Sequence, residues 1–277
     1  MQTYRGDLSN LGGAMSGYFG TQAQQRVQAR VAGLVEWIAT TPGAASHGRC
    51  LACDDTEALG WDTIGEIVDR DGVMAFPMFP ADRMEDLIAF MTARGCRADF
   101  WDAFIGPRDA VLAASDAILE AAMPGGIREE DAPRDPEAGL IRQVQALMAS
   151  NGVSPYPGSM LAGLMEPAVL VILVDGNGEP VAVAFGHRPH NAHSRFHQYG
   201  YSGAVAVAPD HRGRGLGRRA NAMVTQRVIR DLGCTHIQEY VSPDNLPSRK
   251  MTLACGLRPD PAFRGAIAVA GESKFTR

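Results

Sequence analysis

Apolar positions along this chain follow two alternating periods, and the alternation lays out the elements. Val27, Val31, Leu34, Val35 and Ile38 recur at helical spacing and predict a helix over 21–40, stopped by Thr40-Thr41-Pro42. A short helix is predicted over 62–69, a strand over 72–79, a helix over 83–94 closed by Gly95, and a strand over 97–105. This β-α-β series reads as an N-terminal α/β unit. From Met123 to Pro136 the texture turns polar and rich in breakers, marking a boundary or a loop after a first strand. A helix over 137–150, a loop over 151–158 and a short helix over 159–164 follow. Val169–Val174 and Val181–Phe185 flank Asp175-Gly176-Asn177-Gly178-Glu179-Pro180, the turn chemistry of a hairpin. A strand over 199–207 then leads to a helix over 216–232, with Leu216, Ala220, Met223, Val224 and Val228 on one face and Gly233 as its stop. A strand over 236–241 and a short helix ending at Cys255-Gly256-Leu257 close the reading.

The junction between the strand ending at Val205-Ala206-Val207 and the helix at Leu216 carries the strongest chemical signal. Its turn contains Arg212-Gly213-Arg214-Gly215-Leu216-Gly217-Arg218-Arg219. A strand, a glycine-rich turn and a helix start expose backbone N–H groups and the positive end of a helix dipole to an anion. The glycines let a phosphate approach the backbone, and the arginines attract it. The closing Gly-Lys-Ser/Thr of a P-loop is absent. A dinucleotide fingerprint would need glycine at 218, where Arg stands, and an acidic residue placed to hold a ribose, whereas Gly233 and Cys234 end the helix and Glu239 lies beyond it. The pattern Arg212-x-x-Gly215-x-Gly217 after an apolar strand resembles the acyl-CoA-binding signature of the GNAT superfamily of N-acetyltransferases. Downstream, Asn245, Ser248, Gly256 and Leu257 fall where that family has an Asn after its next strand and a Gly-Phe-like pair closing a helix.

The resemblance implies an α/β (α+β) fold. A mixed, mostly antiparallel GNAT sheet with flanking helices would occupy residues 121–277. A smaller α/β domain of unknown role over 1–120 would precede it; a degenerate second GNAT-like fold is one of its readings, against which stands the absence of an Arg-x-x-Gly-x-Gly loop. It implies acetyl-CoA as acyl donor, held by Val205, Ala206, Val207, Arg212, Gly213, Arg214, Gly215, Leu216, Gly217, Arg218, Asn245 and Ser248. The backbone near Val205 and Val207 would polarise the thioester. The expected reaction is direct attack of a primary amine, from a small molecule or a peptide, in a ternary complex. The alternative is an acyl-CoA-binding regulatory module that has lost catalysis. Asn245 can equally serve as an ordinary helix cap.

Candidate catalytic residues follow from the chemistry of that transfer. The amine must lose a proton, and Glu239, alternating with Ile237 and Val241 on an apolar face, is the candidate base; an ion pair with an arginine is its other reading. Many GNAT proteins carry a tyrosine acid where Thr252 stands, so Thr252 is a poor acid in that place, with Tyr201 or Tyr240 as substitutes. Tyr156, His197 and Tyr199 are candidate acceptor contacts. In Tyr156 and Met160 a packing role competes with that one.

Composition narrows the remainder. Hydrophobic content of 45% and charged content of 21% suit a globular chain, and the longest apolar run, Ala168–Val174, is too short to span a membrane. Met1–Asp7 has no apolar signal core, and five cysteines fit reduced thiols, so a cytoplasmic protein is expected. Arginine outnumbers lysine 24 to 2, read as the bias of a GC-rich, bacterial genome. Residues 1–120 hold 9 basic and 17 acidic side chains and residues 121–277 hold 17 and 14; the acidic first half points, weakly, to a cationic acceptor. No basic run suits nucleic acid. His187, His190, His193 and His197 read as a solvated loop more readily than as a metal site, and Cys50 and Cys53 as buried thiols, so no metal is expected.

Overall fold

The computed structural model describes residues 17–271, so the Met1–Asp7 segment lies outside the described residues. The first apolar stripe forms two helices, α1 (Gln22–Ala32) and α2 (Val35–Thr40), where one was expected. Gly33 separates them, its N–H bonding back to the Ala29 carbonyl (3.1 Å) while the Leu34 N–H bonds that of Val31 (3.0 Å). Thr21 and Gln24 close a capping box at the start of α1. Two three-residue strands come next, β1 (Ala44–Ser46) and β2 (Leu51–Cys53), then α3 (Thr56–Leu59) and α4 (Trp61–Asp71). β3 (Val73–Pro80), α5 (Met84–Thr92), β4 (Cys96–Pro107) and α6 (Arg108–Leu119) complete the first half.

The second half runs β5 (Arg128–Glu130), α7 (Gly139–Ser150), α8 (Gly158–Leu161), β6 (Ala168–Val174) and β7 (Pro180–His187). The predicted hairpin joins β6 and β7, with the Asp175 carboxylate accepting the N–H groups of Asn177 and Glu179. β8 (Tyr199–Val207), α9 (Leu216–Asp231), β9 (His236–Val241), α10 (Leu246–Ala254) and β10 (Arg258–Ala270) follow.

Among the described residues the strands form one ten-stranded sheet in the order β1-β2-β3-β10-β4-β9-β8-β7-β6-β5. Two neighbouring pairs are parallel, β2 with β3 and β8 with β9, and the others are antiparallel. This is the mixed, mostly antiparallel architecture expected of the C-terminal half, continued across the first. Each parallel pair is joined through helix, then followed by a further helix and a long strand. Those two long strands are exchanged. β10, from the end of the chain, lies between β3 and β4, and β4, from the first half, lies between β10 and β9.

Helices cover both faces. α9 packs on β6, β7 and β8, with α6 against it, over a core that includes Val171, Ala184, Val224, Val228 and Ile237. On the other face α7 and α8 join α1, α4 and α5 over Ile172, Val183, Phe185, Phe76 and Met74.

Candidate active site

β8 and β9 pair in register only from Tyr199 opposite His236 to Tyr201 opposite Gln238, and then diverge. A bulge in β8 sits at the divergence. Val183 pairs with Ala206 and Phe185 with Gly203, so Ala204 and Val205 together oppose Ala184. Ala204 adopts φ +47, a left-handed conformation rarely taken by a residue with a side chain. The extra residue re-phases the strand. Ser202 and Val205, three apart, both face the α9 side. A bulged strand leaves backbone polar groups outside the ladder, here on the wall of the gap.

A cavity of about 300 Å³ occupies the gap. Tyr201–Val205 line one side, Glu239–Ser242 another, and Asn245, Ser248, Met251 and Thr252 of α10 a third. Beyond the end of β8 lies the glycine turn. Gly213 and Gly215 have φ of +76 and +79, and a Cβ on either would meet no atom within 4 Å, so the space in front of the turn is open. Gly215 is the N-cap of α9, has no side-chain cap, and is followed by a first turn free of acidic residues. The unsatisfied N–H groups of that helix start face outward beside Arg212, Arg214 and Arg218, all exposed. This donor set fits a pyrophosphate. Arg212 meanwhile donates to the Val207 carbonyl (3.3 Å) and to Asn151 Oδ1 (2.8 Å). The corresponding helix start of the first half, α3, is closed by Asp55, whose Oδ1 accepts the N–H groups of Glu57 and Ala58.

Glu239 sits at the floor of the gap, 3% exposed. Its Oε1 accepts from Ser202 Oγ (2.8 Å) and Asn221 Nδ2 (2.8 Å), and its Oε2 from Thr252 Oγ1 (2.5 Å). Burial raises its pKa above the ordinary carboxylate value, and the Thr252, Asn221 and Ser202 donors pull it part of the way back. The donors are all neutral, so the carboxylate is held in place without an ion-pair partner among these contacts. It is a fixed carboxylate with raised proton affinity beside an open cavity.

The cavity's far wall belongs to the first half of the chain: His47 and Arg49 between β1 and β2, Ala75–Pro77 of β3, and Trp101 of β4, with Gly265–Ile267 of β10 beside them. Tyr240, itself part of the lining, accepts a hydrogen bond from the Met78 N–H (2.9 Å) and stacks on Tyr201 with ring centroids 6.3 Å apart. Burial raises both phenols, so both stay protonated. Deeper in, His187 pairs with Glu166, and His190 bonds Asp54 (2.6 Å) through Nδ1 and the Gln238 amide (2.8 Å) through Nε2. The histidine segment is therefore not uniformly solvated: His187 and His190 are buried, while His193 and His197 are exposed. Among the described residues no group of three or more His, Cys, Asp or Glu is arranged to hold a metal ion.

Seven residues named from the sequence line this cavity: Tyr201, Val205, Glu239, Tyr240, Asn245, Ser248 and Thr252. Ala206 and Val207 continue β8 toward the Arg212–Arg218 turn. Asn245 uses its side chain as a helix cap, accepting the Ser248 N–H at 3.1 Å. Tyr156 is fully buried beneath Arg49; His197 precedes β8 and Tyr199 is its first residue, and neither is part of the cavity lining. Sequence reasoning missed Arg49, Trp101 and Asn151. Each reaches the site through long-range topology, and no local motif marks it.

Residues 143–257 match the model of the acetyltransferase (GNAT) family. No curated protein matches the chain. Among solved structures, a GCN5-related N-acetyltransferase from Kribbella flavida is 14% identical, with a TM-score of 0.52 over 80% of this chain and 78% of that one. A Drosophila protein is 12% identical, with a TM-score of 0.56 over 80% and 71%. A tandem GNAT protein from the clavulanic acid biosynthesis pathway is 14% identical, with a TM-score of 0.50 over 88% and 89%. At these identities the likeness is one of fold, and the tandem protein extends it across the first half. The splayed strands and the open helix start both lie within residues 143–257, the stretch that matches the GNAT acetyltransferase family model.

Proposed function

We propose that this protein is an acetyl-CoA-dependent N-acetyltransferase acting on a primary amine. The carrying observation is the proximity of two features: an α9 start with no side-chain cap, and a cavity at the β8/β9 gap floored by the buried carboxylate of Glu239, with a Cβ on Gly217 of α9 falling 3.8 Å from Val205 and Met251 of the cavity lining. Bound acetyl-CoA would supply an activated acetyl thioester. Gly213–Gly217 and the N–H groups of α9 would hold its pyrophosphate, with Arg212, Arg214 and Arg218 around it. The β8 bulge at Ala204–Val205 offers backbone donors to a carbonyl oxygen, the group that gains negative charge during transfer.

Glu239 takes the proton of the attacking amine, directly or through one water, and Thr252 holds the carboxylate in position. A departing thiolate has an intrinsic pKa of about 8.5, so it leaves without a strong side-chain acid. This accommodates threonine at 252. Tyr201, kept protonated by burial, supplies a donor on the opposite side of the gap.

Turnover measured as coenzyme A thiol release across a panel of primary amines tests the proposal. Release with at least one amine, reduced by about 10²-fold or more in Glu239→Gln, supports it. Acetyl-CoA binding without release from any amine would favour a binding module, the reading to which Thr252 in the acid position lends weight.

A further inference from the structure

One large aromatic side chain on the cavity wall has no partner, and it carries a second inference, which rests on the acyl-transfer reading above and concerns its acceptor. Trp101 of β4 lines the cavity and is only half-buried. Among the described residues it makes no hydrogen bond, ring contact or cation–π contact. Trp61, by contrast, packs on Phe90 with ring centroids 4.5 Å apart. An indole left open on a cavity wall, with its N–H unbonded, offers a ligand both apolar area and a ring to stack on.

Strand register shows what surrounds it. Trp101 pairs with Gly265 of β10 and so shares that residue's face of the sheet. A Cβ on Gly265 would fall 2.5 Å from the Tyr240 ring, so Tyr240 occupies the same face, and Tyr201 stacks on Tyr240. On the other side of Gly265, Ile267 of β10 pairs with Ala75 of β3, and both belong to the small apolar cluster against which Trp101 packs. Five neighbouring strands, β3, β10, β4, β9 and β8, thus present one apolar and aromatic wall. Glu239, one residue before Tyr240, points to the opposite face, where Ser202 and Asn221 of α9 bond it. The gap between β8 and β9 joins the two faces.

The polar atoms of the wall are turned to the protein. Tyr240 Oη accepts the Met78 N–H, and Tyr201 Oη lies over the bulge, 2.9 Å from where a Cβ on Gly203 would stand. Arg49 donates to the Ser154 carbonyl (2.8 Å) and to His47 Nε2 (3.2 Å), and His47 Nδ1 lies 3.6 Å from the Cys50 thiol. We propose that the acceptor is a primary amine carried on a flat apolar body, of the size of one aromatic ring, and that this ring packs on Trp101. Its amine reaches through the gap toward Glu239. A polar or charged body would lose its water against this wall and gain few hydrogen bonds in return. The cavity, at about 300 Å³, is small for a ligand site and would also hold the acetyl end of the donor, which limits the body to a single ring.

Binding tests this separately from turnover. The N-acetyl derivatives of benzylamine, 2-phenylethylamine and 4-phenylbutylamine, which differ in the reach from ring to nitrogen, are titrated calorimetrically into the whole protein with and without coenzyme A. Those of 1,4-diaminobutane and glycine serve as charged counterparts. At least one phenyl compound is expected to bind tenfold or more tightly than either counterpart, and to shift the tryptophan emission. Trp101→Ala should erase the preference, Trp101→Phe should keep part of it, and neither variant should show the emission shift. Binding of none of the phenyl compounds by the wild type, or equal binding of a charged counterpart, overturns the proposal without need of a variant. So does a preference that survives in a folded Trp101→Ala variant. Thiol release from amines with no preference for a ring would overturn the acceptor class and leave the acyl-transfer reading standing. Ring binding that depends on Trp101, with no thiol release from any amine, would do the reverse.

Discussion

At the scale of single residues, Glu239 sets the expected pH dependence. Burial raises its pKa, so the carboxylate is protonated, and unable to accept a proton, further up the pH scale than an ordinary glutamate. The acidic limb of kcat/KM should therefore lie above the usual carboxylate range, with activity rising as pH passes through it. Thr252→Val removes a donor that lowers this pKa, and should shift the limb to higher pH; profiles of thiol release for the two proteins check the sign. Ala204 gives a stability test. Its left-handed φ of +47 costs a residue with a Cβ about 1 kcal/mol, so Ala204→Gly should be neutral or stabilising by up to about 1 kcal/mol in urea denaturation. Glu239 could be read from sequence because a charge interrupting the alternation Ile237, Val241 is a local anomaly. Arg49 could not, since it lies between two three-residue strands, too short to show a period.

At the scale of elements, α10 owes its start to Asn245, and α9 owes its openness to Gly215. Asn245→Ala should lower the unfolding free energy by about 1 kcal/mol through loss of the cap on Ser248. If that is the residue's main role, acetyl-CoA affinity measured on the same variant should change by less than threefold. The elements that sequence patterning recovered are those with a long period or strong punctuation: α7, the β6–β7 hairpin, β8, α9 and β9. β10 escaped notice because Pro259 and Pro261 break its first residues. Its pairing with β4 is interrupted between Pro259, which lies opposite Phe104, and Arg264, so Pro261 stands off that ladder and the pairing resumes beyond it. Turn chemistry correctly marks where the chain leaves the sheet, and wrongly suggests that it does not return.

At the scale of the whole molecule, the exchange of β4 and β10 ties the two halves into one folding unit. Division at residue 120 puts β4 in one half and its neighbours β9 and β10 in the other. The 121–277 fragment should therefore fail to fold alone, exposing unpaired edges of β9 and β10 and aggregating. The whole chain should unfold in one transition, by far-UV circular dichroism and by the fluorescence of Trp37, Trp61 and Trp101, all in the first half. A soluble, acetyl-CoA-binding 121–277 fragment would contradict the coupling. No periodicity argument reveals a strand exchange, because pairing partners as distant as Asp102 and Val241, or Cys96 and Ala270, leave no local mark. The same exchange brings Trp101 of β4 and residues 265–267 of β10 to the cavity, so the first half is part of the site rather than an appendage.

The central claim is that the glycine turn and α9 hold an acyl-CoA. Calorimetric titration of the whole protein with acetyl-CoA, beside Gly215→Glu, tests it most directly. Glutamate there sets a negative charge at the positive end of the helix, where the pyrophosphate would sit. The account predicts micromolar binding by the wild type and its loss in the variant, with the circular dichroism spectrum unchanged. No binding by the folded wild type, or undiminished binding by the variant, would contradict it.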